Sequence, residues 1–184
     1  IFNNNLKLVI LIFDKTNKES FDNIDSYVNR IKTQNKSKIM IIGNKMDSKG
    51  CCVTYFNLKE KAKRLNADYF YEISALKSTN IEMILDEIIS FINETHKNNS
   101  QEQINIKHFN AGKPTIKTIV IGSSGCGKTS FIHYLETKER YSSINSISTM
   151  SPSESKINLD LFTLNIWDTA GQERFRAILG PLFR

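Results

Sequence analysis

The sequence has few cysteines, no long apolar run and no block of basic residues, and each absence excludes a class of protein. Three cysteines cannot form a disulfide framework, so we expect a reducing, cytoplasmic setting. The longest apolar run, residues 8–13, has the length of a buried strand and falls short of the roughly 18 residues that span a bilayer. The lysines behind the net charge of +6 are scattered singly, so we expect no nucleic-acid partner.

Two features of the sequence leave alternatives open. The adjacent pair Cys51–Cys52 is compatible with a lipidation site, a redox site or an ordinary loop, and the last is favoured. The chain begins at Ile1 rather than Met and has no signal-peptide pattern, so a fragment of a longer protein is one expectation.

Strand-like apolar runs alternate with amphipathic stretches, which predicts an α/β fold whose open, mostly parallel sheet is covered on both faces. Strands are predicted at residues 6–13, 38–42, 69–73, 115–121, 157–161 and 162–167, the last two as a tight hairpin. Helices are predicted at 17–31, 57–65, 81–92 and 128–138, and the first two are expected to begin with the capping pairs Thr16–Glu19 and Asn57–Glu60. Polar residues 95–114 are predicted to be a linker, residues 142–155 a mobile stretch, and the chain to end near a short helix.

A complete phosphate-binding motif follows the strand predicted at 115–121. The pattern G-x-x-x-x-G-K-[ST] is matched by Gly122, Ser123, Ser124, Gly125, Cys126, Gly127, Lys128 and Thr129. Its glycines permit a tight turn whose N–H groups point at phosphate oxygens, and the following helix adds its positive end. Lys128 is expected to reach the β- and γ-phosphates, and the Thr129 hydroxyl to ligate Mg²⁺. A chance Gly-rich turn is disfavoured because the motif follows an apolar strand and opens a helix.

A second phosphate-side motif, Asp-Thr-Ala-Gly-Gln at residues 168–172, comes forty residues after the first. Asp168 ends a predicted strand, where its carboxylate would hold Mg²⁺ through water. The Gly171 N–H would meet the γ-phosphate, and Gln172 beside it would orient an attacking water. The stretch Asp-Thr-Ala-Gly alone is a weak signal, but its distance from the first motif makes it specific.

The base is expected to be read by residues 44–47, Asn-Lys-Met-Asp, which follow the strand predicted at 38–42. Guanine presents N1–H and an amine as adjacent donors, and the Asp47 carboxylate can accept both. Adenine would leave that carboxylate unpaired, and such sites discriminate by roughly 10⁴ or more. Asn44 would face the other edge of the base or tie neighbouring loops together, and the Lys45 stem would cover a ring face.

The triplet Ser74, Ala75 and Leu76 follows the next predicted strand, and the Ala75 N–H is expected to donate to guanine O6. Each base-side motif alone often occurs by chance. Together they follow successive strands of one sheet, which is where open α/β sheets bind ligands.

These segments resemble the Rab branch of the Ras-like small GTPases. The resemblance is carried by Gly-Ser-Ser-Gly-Cys-Gly-Lys-Thr-Ser ending at Ser130, by Trp-Asp-Thr-Ala-Gly-Gln-Glu-Arg-Phe-Arg at 167–176, by 13–21 and by 43–47. It implies a P-loop NTPase fold with a three-layer sheet, mostly parallel with one antiparallel edge strand. It also implies GTP and GDP as ligands, Mg²⁺ held by Thr129, Asp168 and Thr149, and catalytic roles for Lys128, Thr149 and Gln172.

The two halves stand in the reverse of the family's order, so the expected fold is a circularly permuted one. One domain spans 1–184, with a base-recognition half at 1–94, the linker, and a P-loop and switch half at 115–184. A linker of this length has a typical end-to-end distance of about 24 Å, enough to join the halves. The alternative is a fragment that spans two tandem GTPases.

The resemblance implies a molecular switch with slow GTP hydrolysis, with effector, exchange-factor and GTPase-activating proteins as partners and vesicle traffic as its process. After Thr149 the family continues Gly-Val-Asp-Phe, whereas this chain reads Met-Ser-Pro-Ser at 150–153, so a nucleotide-holding module with impaired switching is the alternative. We expect no membrane anchor in this chain, because it lacks terminal cysteines. A position at endomembranes would need a missing segment or a partner.

Overall fold

The computed structural model describes residues 6–34, 37–99, 113, 115–140, 153–159 and 162–169. In chain order these residues form β1 (Leu6–Asp14), α1 (Lys18–Asp22), α2 (Ile24–Gln34), β2 (Lys38–Asn44), α3 (Tyr55–Arg64), β3 (Tyr69–Glu72), α4 (Ile81–Asn99), β4 (Thr115–Ile121), α5 (Lys128–Thr137), β5 (Ser153–Asn158) and β6 (Thr163–Asp168). No described helix is both long and apolar enough to cross a membrane.

The strands form one sheet to which both halves of the chain contribute, in the order β3-β2-β1-β4-β6-β5. All neighbouring pairs are parallel except β5 and β6. The central contact joins β1 to β4 and pairs Ile10 with Val120. The predicted fold, an α/β fold whose mostly parallel sheet has one antiparallel edge strand, is confirmed.

Helices cover both faces of the sheet and make three layers. One face packs β1 residues such as Val9 and Leu11 against Val28 of α2 and Leu58 of α3. The other packs Ile10 and its neighbours against α4 and α5. Residues 8–13 are consecutive and buried because a central parallel strand is covered on both sides. Their apolar run therefore shows no alternation.

Two predicted helix starts were wrong, because a neighbouring residue supplies the cap. Asn17 caps α1 and accepts from Ser20 N at 3.1 Å, while the Thr16 hydroxyl donates to Asp14 Oδ1 at 2.7 Å. The helix predicted to follow is also divided into α1 and α2. The second misplaced start belongs to α3, which begins at Tyr55, directly after its N-cap Thr54, rather than at Asn57. Asn57 is the inner member of that capping box.

Two predicted polar segments are shorter than expected. The helix predicted to end at residue 92 continues through Asn99 into the predicted linker, since no glycine or proline interrupts it. The stretch predicted to be mobile ends in strand β5, which begins at Ser153 and pairs with β6 from its first residue. The rest of that stretch and the short terminal helix lie outside the described residues.

Thr118 in β4 offers a test of the core. It is fully buried on the face that carries Ile116 and Val120, and no described residue hydrogen-bonds its hydroxyl. Replacing Thr118 by valine removes a buried unpaired polar group at nearly constant shape, so we expect stability to rise by about 1 kcal/mol. Denaturant unfolding monitored by circular dichroism measures the change.

Thr169 is the matched control, because its buried hydroxyl donates to Val120 O at 2.7 Å. Thr169→Val should lower the free energy of unfolding by about 1 kcal/mol. A loss of stability in Thr118→Val of the same size as in Thr169→Val would contradict the assignment of an unpaired hydroxyl.

Candidate functional site

The carboxyl ends of four parallel strands meet at one edge of the sheet and bring the predicted motifs together. Asp14 at the end of β1 pairs with Asn44 at the end of β2. Asp168 at the end of β6 pairs with Val120, two residues before the phosphate-binding loop. Motifs from both halves of the chain therefore lie along the same edge, which is where open α/β sheets bind ligands.

The phosphate-binding loop, residues 122–129, runs from β4 into α5. Gly127 is the N-cap of α5, and its φ of 93° lies in the left-handed region that favours glycine. Lys128 is 5% exposed, and its ammonium donates to Gly122 O at 2.9 Å and Ser123 O at 3.0 Å. The cation is thus held against the loop by backbone carbonyls at the positive end of a helix, an arrangement suited to an anion.

The exposure of the remaining loop residues differs along the motif. Ser124 and Gly125 are exposed, whereas Ser123 and Ser130 are half-buried. Cys126 is buried, and this burial raises the pKa of its thiol against an opposing effect of the Lys128 charge. The loop therefore presents Ser124 and Gly125 outward and keeps the Cys126 thiol in the core.

The predicted magnesium ligands Thr129 and Asp168 are in contact. The Thr129 hydroxyl donates to Asp168 Oδ2 at 2.6 Å, across 39 residues of sequence. A hydroxyl oxygen and a carboxylate oxygen are hard donors of the kind that Mg²⁺ selects. These two residues fit the ion, and the third predicted ligand, Thr149, lies outside the described residues.

Asn44 joins the base-recognition half to the phosphate-binding loop. Its side chain is 2% exposed, and Nδ2 donates to Cys126 O at 2.9 Å. Oδ1 accepts from Lys45 N at 2.7 Å and from Ala75 N at 3.0 Å. One amide therefore holds three loops together. Two roles were predicted for Asn44, and in the structure its side chain joins neighbouring loops.

Lys45 stands beside Asn44 with a backbone φ of 65° and a half-exposed side chain. Its ammonium lies 2.6 Å from Asp14 Oδ2, so its stem runs along the edge of the sheet. Burial alone would raise the pKa of Asp14, but hydrogen bonds from Lys45 and Thr16 and the Lys45 charge lower it below 3.8. The stability that this pair adds is present above the ordinary pKa and is lost as pH falls through the lowered one.

The remaining base-side residues lie on the same edge. Asp47 is half-buried, and among the described residues none donates a hydrogen bond to its carboxylate. Ser74 is buried and its hydroxyl accepts from Lys77 N at 2.9 Å, while Leu76 is 58% exposed. The Ala75 N–H, predicted to donate to guanine O6, donates to Asn44 instead. Its role toward a base stays a prediction.

Three predicted residues, Thr149, Gly171 and Gln172, lie outside the described part of the chain. Two further contacts of the site were not predicted from the sequence. Asn23, at the end of α1, donates from Nδ2 to Ser123 Oγ at 3.4 Å. The Asp14–Lys45 pair was missed as well, although the position of Asp14 at a strand end was a signal for it.

Gly127 gives a prediction that tests the contact between the two halves. A Cβ added there would lie 2.2 Å from Asn44 Nδ2, whereas one added at Gly125 would meet nothing within 4 Å. Both glycines have positive φ, so alanine is strained at either position by roughly 1 kcal/mol. We expect Gly127→Ala to lose about 2 kcal/mol more than Gly125→Ala in denaturant unfolding, because Asn44 must move. Equal losses would mean that Asn44 can give way freely.

Comparisons with known proteins identify the family of this chain. The model of the Ras family matches residues 1–94 and 117–184. A probable Rab-related GTPase of Acanthamoeba polyphaga mimivirus is 46% identical over 65 residues, 34% of this chain and 30% of that protein. The Ras-related protein RabL of Dictyostelium discoideum is 42% identical over 74 residues, 39% of this chain and 36% of that protein. The chain thus spans about a third of the length of these relatives.

A solved structure shares the fold over most of the chain. YjeQ from Thermotoga maritima superposes with a TM-score of 0.51 over 91% of this chain and 48% of that one, at 17% identity. This likeness concerns the fold alone. The family model matches both halves and leaves out only residues 95–116. The resemblance seen in the sequence is confirmed: the chain belongs to the Ras family and is similar to Rab-related proteins.

Proposed function

We propose that this protein is a guanine-nucleotide switch that binds GDP and GTP with Mg²⁺ and hydrolyses GTP slowly. The observation that supports it most is the hydrogen bond from Asn44 Nδ2 to Cys126 O at 2.9 Å. It joins the tetrapeptide that would read the base to the loop that would hold the phosphates. One nucleotide can then contact Asp47 and Lys128, although 81 residues of sequence separate them.

The phosphates are held by the loop at residues 122–129. Its backbone N–H groups and the start of α5 supply positive potential, and the Lys128 ammonium adds a full charge. Lys128 is already anchored by two carbonyls, so little side-chain freedom is lost when it binds an anion. Thr129 and Asp168 would hold Mg²⁺, which neutralises charge on the phosphate oxygens.

The base is selected by Asp47. Its carboxylate lies at the same edge and is not engaged by any described residue, so both oxygens remain for N1–H and the amine of guanine. Lys45 is held by Asp14, which positions its stem to cover one face of the ring. Ser74, Ala75 and Leu76 border the base, and Ala75 N–H would be shared between Asn44 and guanine O6.

Hydrolysis rests on Gln172, which would orient a water, and on Gly171 and Thr149, which would contact the γ-phosphate. An arginine supplied by a partner is the usual accelerator of this reaction, and we assign that role to no arginine of this chain. Unassisted turnover is therefore proposed at the scale known for Ras, on the order of 10⁻⁴ to 10⁻³ s⁻¹. Effector, exchange-factor and GTPase-activating proteins, a cytoplasmic position at endomembranes and a role in vesicle traffic are proposed from the family alone.

We further propose that residues 1–184 act as one permuted domain rather than as parts of two tandem GTPases. The parallel pairing of β1 with β4 and the bond from Asn44 to Cys126 support this organisation. Cooperative unfolding of the isolated chain, with a midpoint that GDP raises, is the expected behaviour. Separate unfolding of the halves would favour the tandem alternative.

Nucleotide binding is tested by titrating fluorescently labelled GDP and ADP into the purified chain, with and without Mg²⁺. We expect GDP to bind roughly 10⁴ times more tightly than ADP, because adenine leaves the Asp47 carboxylate unpaired. Chelating Mg²⁺ should weaken GDP binding. Lys128→Ala should abolish binding. Lys138→Ala, at the other end of α5, should leave it intact, because the ion pair of Lys138 among the described residues is with the exposed Glu82. Equal affinity for GDP and ADP would refute guanine selection.

Turnover is tested separately in a single-turnover assay with GTP. Gln172→Leu should lower the rate without changing GTP affinity, because the side chain is assigned to the water and not to the nucleotide. If the unaltered chain binds GTP tightly and produces no phosphate, it is a nucleotide-holding module rather than an enzyme.

A further inference from the structure

A buried ion pair lies beside the base-recognition residues, and neither of its members is assigned to the proposed nucleotide site. Lys15, the residue after β1, is 7% exposed, and its ammonium lies 2.5 Å from Oε1 of Glu72, the last residue of β3. Glu72 Oε1 is buried, and no described residue makes a hydrogen bond of good geometry to it. Among the described residues, the charge of Lys15 therefore compensates this carboxylate.

The ion pair crosses a strand. The sheet order is β3-β2-β1, so β2 separates the two strands whose ends it joins. Gly43 of β2 pairs with Phe13 on one side and with Glu72 on the other. A Cβ added at Gly43 would lie 3.2 Å from Lys15 Cγ, so the Lys15 stem passes over a position where β2 carries no side chain. The ends of β1 and β3 are thus joined directly.

The backbone of Lys15 holds both sides of the turn that carries Asp47. Its N–H donates to Asn44 O at 3.0 Å, where the turn begins. Its carbonyl accepts from Cys52 N at 2.9 Å and from Val53 N at 3.1 Å, where the turn ends. The position of Lys15 therefore fixes the two ends of this turn.

Glu72 leads directly into the loop that carries Ala75. Its carbonyl accepts from Asn80 Nδ2 at 3.0 Å, so it also holds the far end of that loop. The carbonyl of the next residue, Ile73, accepts from Met46 N at 3.0 Å, which connects the start of the loop to the turn before Asp47. The ion pair thus adds a second connection between the two loops from which the base would be read.

We propose that Lys15 is a positioning residue for guanine recognition, which acts through its ion pair with Glu72. This inference rests on the proposed function and names a determinant of its base site. The ion pair fixes the spacing between Asp47, which would accept from the guanine N1–H and amine, and Ala75, which would donate to O6. Groups that contact one rigid base from two loops must be held at one spacing in order to bind it together.

The charges at this edge of the sheet favour the same role. Three carboxylates lie there, and the described ion pairs join Lys45 to Asp14 and Lys15 to Glu72, which leaves Asp47 for the base. A buried carboxylate that loses its cation moves toward water or toward another donor. Without the charge of Lys15, Glu72 would therefore move the start of the loop that follows it, and the two loops would no longer match the base.

The test uses the full chain and compares the affinities of GDP and of inosine diphosphate, whose base is guanine without the amine. In the unaltered chain we expect GDP to bind roughly 10- to 100-fold more tightly, because the amine donates to a charged acceptor. Lys15→Met removes the charge and keeps the stem, so it should reduce this preference about fivefold and speed the release of labelled GDP about tenfold. Lys18→Met makes the same change in an exposed ion pair on α1 and should leave both unaltered.

The ratio of the two affinities separates positioning from stability. A chain that is merely less stable binds GDP and inosine diphosphate more weakly by the same factor, because both bind the folded state. Lys15→Met/Glu72→Gln removes both charges, so its unfolding free energy should return toward that of the unaltered chain while its preference for GDP stays low. This variant also carries the test if Lys15→Met does not fold.

Two results would overturn the proposal. One is a preference for GDP in Lys15→Met/Glu72→Gln equal to that of the unaltered chain. The other is weaker binding of both nucleotides by one common factor in Lys15→Met. Equal affinity of the unaltered chain for GDP and ADP is a different result, which would refute the proposed function and this inference with it.

Discussion

Replacing Asn44 by alanine is expected to cost this protein both stability and nucleotide binding. The substitution leaves Cys126 O without a donor and Ala75 N without an acceptor at buried positions, and Lys45 N without an acceptor at a partly buried one. A buried polar group left unpaired costs about 1–3 kcal/mol, and shared relaxation keeps the sum below three times that value. We expect a loss of about 3 kcal/mol in denaturant unfolding and GDP affinity lowered by at least roughly 100-fold.

Two variants separate the parts of this effect. Asn44→Asp keeps an acceptor for Lys45 N and Ala75 N but sets a carboxylate against Cys126 O, so it should be at least as damaging as alanine. Asn23→Ala removes another contact from the base-side half to the loop, a single 3.4 Å bond to Ser123, and should cost less than about 1 kcal/mol. If Asn44→Ala unfolds and binds GDP like the parent chain, the two halves are joined by something other than this amide.

The sequence was sufficient to predict elements whose boundaries are set locally. Strand β4 has the predicted bounds, because its apolar run is bordered by Pro114 and Gly122. Helix α3 began elsewhere, because Thr54, Asn57 and Glu60 offer two capping pairs at the same spacing, and spacing alone cannot choose between them. In α1, Thr16 was unavailable as the cap because Asp14, at the end of a strand, engages its hydroxyl.

The site could be predicted in its parts but not in its connections. Motif spacing and strand ends identified Lys128, Thr129 and Asp168 on one side and Asn44 and Asp47 on the other. The bond from Asn44 to Cys126 spans 82 residues, and no local pattern encodes it. Only the parallel pairing of β1 with β4, a tertiary event, brings the two residues within reach.

Asp47→Asn is expected to change the preference of the site from guanine nucleotides to xanthine nucleotides. Xanthine keeps N1–H but carries an oxygen where guanine carries the amine. The asparagine side chain can accept from N1–H and donate to that oxygen, whereas with guanine its NH₂ faces another NH₂. Pairing a buried group correctly or leaving it unpaired changes affinity by roughly 10⁴ in sites of this kind. We expect GDP to bind about 10³- to 10⁴-fold more weakly and xanthosine diphosphate to gain correspondingly.

The surroundings of Asp47 indicate that this substitution changes recognition of the base without disturbing the fold. No described residue donates to the Asp47 carboxylate, and Asn44 and Lys45 are positioned by partners of their own, so the turn should keep its shape. Unfolding free energies of Asp47→Asn and the parent should therefore agree within about 0.5 kcal/mol. Asp86→Asn, on the exposed side of α4, makes the same change in charge and should leave both affinities unaltered. If Asp47→Asn weakens both nucleotides equally, its carboxylate supports the loop and does not read the base.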